Sequence, residues 1–156
     1  MKKNHWITAS ALACMLAFAP STVNASNEAD NKRPPVAERN FTSKAVEKLI
    51  KEVSKAIQDP KLREMFQNCY PNTLDTTVKF QMNGKKPDTF VITGDIDAMW
   101  LRDSSAQLWP YLVLMEGDKE LQTLIAGLIH RQTACLLLDP YANAFKDGPK
   151  GSYWET

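Results

Sequence analysis

The spacing of apolar positions changes along the chain, and each change marks an element. From Ser43 onward, Val46, Leu49, Ile50, Val53 and Ile57 recur at the period of one helix face, with charged residues between them. Ser43 stands where a hydroxyl can cap the first turn. Asp59-Pro60 then restarts a helix, Asp as cap and Pro in the first turn, with Leu62, Met65 and Phe66 directed inward. The two segments are read as antiparallel helices or as one sharply broken helix. Between Tyr70 and Gly94 the period falls to two: Val78, Phe80 and Met82 alternate with polar residues, Asn83-Gly84 is a turn signal, and Thr89 to Thr93 is rich in β-branched residues. A short β-hairpin follows from this pattern. Helical spacing returns from Ser104 to Met115, with Pro110 expected to bend it. It returns again from Asp118 through Leu121, Leu124, Ile125, Leu128, Ile129 and Cys135 to Leu138, where Asp139-Pro140 stops it.

The first 25 residues follow a different pattern. Met1-Lys2-Lys3 is basic, Trp6 to Ala19 is apolar and uncharged, and Val23-Asn24-Ala25 offers small residues before Ser26, the layout of a cleaved secretory signal. A membrane span needs about 20 continuous apolar residues and here meets Pro20, Ser21 and Asn24 too early. Lipidation at Cys14 is the weaker alternative, because Met15 to Ala19 continue the apolar run. The expectation is an exported protein, periplasmic or extracellular, of bacterial type. Residues 26–40 are polar and carry Pro34-Pro35, so they are expected as a flexible arm. Residues 41–156 form the folded part. Lys146 to Gly151 are turn-formers and Tyr153-Trp154 precede Thr156 without a closing element, so the folded part is expected to be cut short.

Composition narrows the class. The 156 residues are 44% hydrophobic with four Trp and six Phe, enough for a core. The formal charge is +1, and loss of Lys2 and Lys3 would leave 17 basic against 18 acidic residues, which suggests no nucleic-acid or membrane-surface partner. Cys69 and Cys135 are equally readable as a bridge or as free thiols. His130 stands alone on a helical stretch, no Cys/His cluster has ligand spacing, and no Gly-rich phosphate loop occurs, so no metal or cofactor is expected.

Chemistry concentrates in ITGDIDAMWLRDSSAQLWPYL, from Ile92 to Leu112, which sets Asp95, Asp97, Trp100, Arg102, Asp103 and Gln107 in a strand-to-helix loop and the following turns. A carboxylate can accept from two neighbouring sugar hydroxyls, Arg offers a planar fork of donors, and an indole face can cover the apolar side of a pyranose. The other reading of these residues is structural: an Arg102–Asp103 pair at a helix start, an Asp cap and a core Trp100. Asp95 and Asp97, two apart on a strand, would point to opposite faces and would not flank one glycosidic bond.

Three blocks carry a resemblance: PNTLDTTV at 71–78, FVITGDIDAMWLRDS at 90–104 and DPYANAF at 139–145. They resemble the signature blocks of glycoside hydrolase family 125, exo-α-1,6-mannosidases of bacteria and fungi. The resemblance implies a mainly α fold, the N-terminal part of an (α/α)6 toroid with a short β-hairpin. It also implies metal-free removal of terminal α-linked mannose with inversion, from an N-glycan or yeast-type mannan. The Trp100-Leu101-Arg102-Asp103 run is similar to a sugar-binding turn of glucoamylase-like toroids, which implies that Arg102 and Asp103 grip the terminal sugar, with Asp95, Asp97 and Trp100 beside them. Asp139, Tyr141 and Asn143 match the third block, either as lining of the same mouth or as a structured turn. Asp75 and Asn72 are read as site wall or as loop-stabilising side chains. The family's catalytic Asp and Glu are expected beyond Thr156, and Glu155 matches neither. The rival reading is a carbohydrate-binding fragment without turnover.

Overall fold

A computed structural model describes residues 32–148. The expected signal peptide 1–25, the first residues of the arm, Tyr153-Trp154 and Glu155 lie outside the described residues. Four helices and one hairpin carry the fold: α1 (Lys44–Ala56), α2 (Pro60–Cys69), β1 (Val78–Asn83), β2 (Lys86–Val91), α3 (Leu101–Leu108) and α4 (Lys119–Leu138). The architecture is mainly helical, with a two-stranded antiparallel sheet.

The helix starts follow their caps. Ser43 Oγ accepts from Val46 N at 3.2 Å, and Asp59 Oδ1 accepts from Lys61 N and Leu62 N at 2.8 and 3.0 Å. Asp118 accepts from Leu121 N at 2.9 Å and so opens α4. Its other oxygen accepts from Ser43 Oγ at 2.7 Å and from Ala45 N at 3.2 Å, so one carboxylate ties the starts of α1 and α4 together. Burial alone would raise this carboxyl's pKa, but the hydrogen bonds it accepts outweigh that and hold it below the ordinary value.

The hairpin runs from Val78↔Val91 to Asn83↔Lys86. Gly84 takes the first position of its two-residue loop with φ 63°, which a side chain would resist. β2 begins three residues earlier than Thr89, taking in Pro87 and Asp88. The long helix α4 lies across β2. Gly127 permits the close approach, since a Cβ there would stand 3.0 Å from Thr89 N, and Thr89 Oγ1 donates to the Leu124 carbonyl at 2.6 Å. Arg131 Nε meets Asp88 Oδ1 at 2.7 Å, and His130 Nδ1 lies 3.0 Å from the Pro87 carbonyl. Phe90, Leu74, Val78, Tyr111, Leu121 and Leu124 form the centre of the core between hairpin, α1 and α4.

Several expectations are corrected. Leu62 and Met65, read as inward, are exposed, as is Ile129; of the α2 positions it is Phe66 that packs on the core, stacked with Tyr70. An apolar stripe is buried only where another element lies over it, and among the described residues none covers these. The helix expected from Ser104 to Met115 starts at Leu101 and ends at Leu108, giving way to a 3-10 segment, Trp109–Leu114. Pro110 has no N–H for the α ladder, so the helix tightens there. A π turn, Thr73–Thr77, that no sequence pattern announced buries Leu74, Asp75 and Thr77. The arm is held from Arg33 onward: Arg33 Nε contacts Asp75 Oδ2 at 2.6 Å, its other nitrogens reach Glu47, and Asn40 N bonds the Asp75 carbonyl at 2.9 Å. Residues 33–40 are therefore docked, because two arginines of a polar segment find a buried carboxylate 42 residues away in sequence for Arg33 and 3.7 Å from Arg39. Cys69 is exposed on α2, Cys135 is buried in α4, and both are free thiols. Among the described residues no helix is long and apolar enough to cross a membrane.

Candidate functional site

The loop from Ile92 to Trp100 leaves β2 and delivers the chain into α3. Its root is held by Gln107, whose Nε2 donates to the Ile92 carbonyl at 3.0 Å. Gly94 turns it with φ 117°. Thr93 Oγ1 lies 2.9 Å from Asp95 Oδ1, an internal contact of the loop. Asp97 is directed to Lys79 of β1, with Nζ to Oδ1 at 2.9 Å, and the same ammonium stands 3.7 Å from Asp147. The hydrogen bond to Asp97 is the main reason that the Lys79 pKa is raised.

Ala98 and Met99 are buried, and Met99 forms a reciprocal backbone bridge with Phe145, at 3.0 and 2.9 Å. That bridge brings the second and third sequence blocks together, although residues 105–138 lie between them along the chain. Trp100, half-buried, stands at the N-cap position of α3 and supplies no side-chain cap. In the first turn Arg102 Nε donates to Asp103 Oδ1 at 2.8 Å; the Arg102 side chain is 87% exposed and that of Asp103 32%. The hydrogen bond to Asp103 raises the Arg102 pKa further. Tyr141 is exposed, as is Asn143, while Asp139 Oδ1 accepts from Tyr141 N at 2.9 Å and so shapes the turn that follows α4.

The candidate residues thus divide. Arg102, Asp103, Trp100, Tyr141 and Asn143 flank the Met99–Phe145 bridge with side chains uncommitted to the core, an arrangement suited to donating to and accepting from hydroxyls and to covering a sugar face. Asp95, Asp97 and Asp139 hold loop and turn geometry. Asp75 serves structure as well: it is 1% exposed and receives Arg33. Its neighbour Asn72 is exposed, with Oδ1 3.3 Å from Thr76 Oγ1. Sequence reasoning missed Lys79 and Gln132, whose partners lie far along the chain; no local pattern marks a lysine or glutamine that reaches a neighbouring element. Two concavities lie elsewhere, about 430 Å³ beside α1 lined by Lys44, Lys48, Lys51 and Lys55 among others, and about 370 Å³ between Phe41, Phe80, Met82 and the start of α4. No candidate sugar-contacting residue lines either.

Comparison with known proteins bears on what these residues serve. The sequence profile of the metal-independent α-mannosidases, GH125, matches residues 59–155. The Meiotically up-regulated gene 157 protein of Schizosaccharomyces pombe is 47% identical over 123 residues, 78% of this chain and 24% of that protein. A solved Streptococcus pneumoniae structure, described as a metal-independent α-mannosidase in a non-productive substrate complex with α-1,6-mannobiose, is 44% identical. It covers 70% of this chain and 25% of its own, with a TM-score of 0.63. The chain spans about a quarter of the length of each. With the profile running through the hairpin, the Arg102–Asp103 turn and the bridged third block, this chain belongs to glycoside hydrolase family 125, the metal-independent α-mannosidases.

Proposed function

We propose that this chain supplies the terminal-sugar grip of an exo-acting mannosidase that removes α-linked mannose, α-1,6 by preference, from glycans with inversion. The observation that carries the reading is the exposed Arg102–Asp103 pair in the first turn of α3, within the profile match and beside the bridged third block. On this reading Asp103 accepts hydroxyls of the terminal mannose, Arg102 donates to them and orients that carboxylate, and Trp100 faces the ring. Inversion requires a protonated carboxyl at the leaving oxygen and a carboxylate activating water, roughly 6.5–9.5 Å apart. We assign that acid and base to family-length sequence outside residues 1–156, and residues 41–156 to the N-terminal part of an (α/α)6 toroid. Export through a signal ending at Ala25 completes the proposal, with Ser26 as the first residue of the exported form.

A second reading is a chain that binds mannose without turnover, favoured by the exposed Trp109, Val113 and Leu137 on helical faces. One experiment tests the grip that both readings share and the place of the acid and base. The full chain is titrated with α-1,6-mannobiose by NMR while mannose release is followed. Saturable shifts at Trp100 and Arg102 without release support the grip and the outside position of the acid and base. Release well above a buffer blank would show that the chain holds its own catalytic pair. The absence of any saturable shift would overturn the grip.

A further inference from the structure

The first turn of α3 holds the Arg102–Asp103 pair but has no side-chain cap, because Trp100 offers no acceptor at the N-cap position. Uncapped helix starts fray unless another element holds them. Gln132 of α4 reaches this turn: its Nε2 lies 3.0 Å from the Leu101 carbonyl, 3.0 Å from Ser104 Oγ and 2.8 Å from Ser105 Oγ. The Leu101 carbonyl only accepts, so the nitrogen end of the amide must face it. Both serine hydroxyls lie within reach of that same carbonyl, at 3.1 and 2.8 Å. They donate to it, leaving their oxygens to accept the two amide hydrogens. The amide therefore binds both serines directly and the Leu101 carbonyl through them, in the turn that carries Arg102 and Asp103.

The element behind Gln132 is rigidly seated. Arg131, its chain neighbour, is bonded to Asp88; Thr89 is bonded to the Leu124 carbonyl; and Gly127 lets α4 lie directly on β2. We propose that Gln132 is a positioning residue for the Arg102–Asp103 sugar grip, carrying the rigidity of the α4–hairpin unit into a turn that has no side-chain cap. The inference rests on the sugar-binding reading of that pair. Gln132 itself acts through the turn and not on the sugar.

The test compares the full chain with Gln132→Met, which keeps the side chain's length but has no donor, and Gln132→Lys, which restores one. Three readouts are taken on the same preparations: α-1,6-mannobiose affinity by NMR titration, the Arg102 Nε–H resonance without ligand, and the melting temperature. Gln132→Met is expected to stay folded, to weaken affinity about tenfold, the scale of one lost hydrogen bond to a charged group, and to shift the Arg102 resonance; Gln132→Lys recovers most of both. A lowered melting temperature with unchanged affinity and an unmoved Arg102 resonance would overturn the proposal while leaving the grip intact. Unchanged affinity in Asp103→Asn and Arg102→Lys as well would instead sink the grip, and the proposal with it.

Discussion

Replacing Asp118 by alanine removes the carboxylate that opens two helices at once. The side chain is nearly buried, at 8% exposure, and accepts from Leu121 N, Ser43 Oγ and Ala45 N. Loss of an N-cap acceptor costs about 1 kcal/mol. Ser43 is buried, and its hydroxyl would lose its acceptor, adding about 2 kcal/mol. The expected loss for Asp118→Ala is therefore about 3 kcal/mol, or roughly 10 °C in melting temperature for a domain of this size. Asp118→Asn keeps an acceptor and is expected to cost about 1 kcal/mol near neutrality. The pH dependence gives a second check. The folded carboxyl is held below its ordinary value, so its contribution is present above the unfolded pKa of about 4 and is lost as pH falls through the lowered folded value. Urea unfolding at a series of pH values from 7 down to 3 should show the gap between the unaltered protein and Asp118→Asn closing toward the acid end. A constant gap, or an Asp118→Ala variant within 0.5 kcal/mol of the unaltered protein at pH 7, on the order of an ordinary surface substitution, would refute the reasoning.

Gly127→Ala would set a Cβ 3.0 Å from Thr89 N and 3.1 Å from the Asp88 carbonyl carbon, so strand backbone must move. The expected loss of about 2–3 kcal/mol exceeds the helix-propensity gain of about 1 kcal/mol; a raised urea midpoint would contradict the close packing. Asp75→Ala leaves Arg33 without its buried partner, and trypsin should then cut after Arg39 at least about tenfold faster while α4 stays protected. Equal cleavage rates would mean that other contacts dock the arm. Asp103→Asn and Arg102→Lys should each weaken α-1,6-mannobiose binding about tenfold with little change in melting temperature, because the Arg102 side chain is exposed. The reverse outcome, lower melting temperature with unchanged binding, would make the pair a structural element of the helix start.

Features whose causes lie within a few residues were legible from the chain alone. Ser43 and Asp59-Pro60 cap helices through bonds to backbone two or three residues on, and the alternation at Val78, Phe80 and Met82 with Gly84 at the turn is enough for a hairpin. The three sequence blocks likewise pointed to the family that the profile match established. What the sequence left open depends on residues meeting across long separations. The period of α2 and α4 says that Leu62, Met65 and Ile129 are apolar, not whether anything lies over them, and they are exposed. Asp118 was readable as the start of a helix, but its bond to Ser43 spans 75 positions. The arm's composition suggested flexibility until Asp75, buried in an unannounced π turn, gave Arg33 a partner. The Met99–Phe145 bridge and the reach of Gln132 to the α3 start are of the same kind. Backbone caps and hairpin turns are decided by neighbours in sequence; burial, ion pairing and the grouping of a site are decided by which distant segments the packed core leaves side by side.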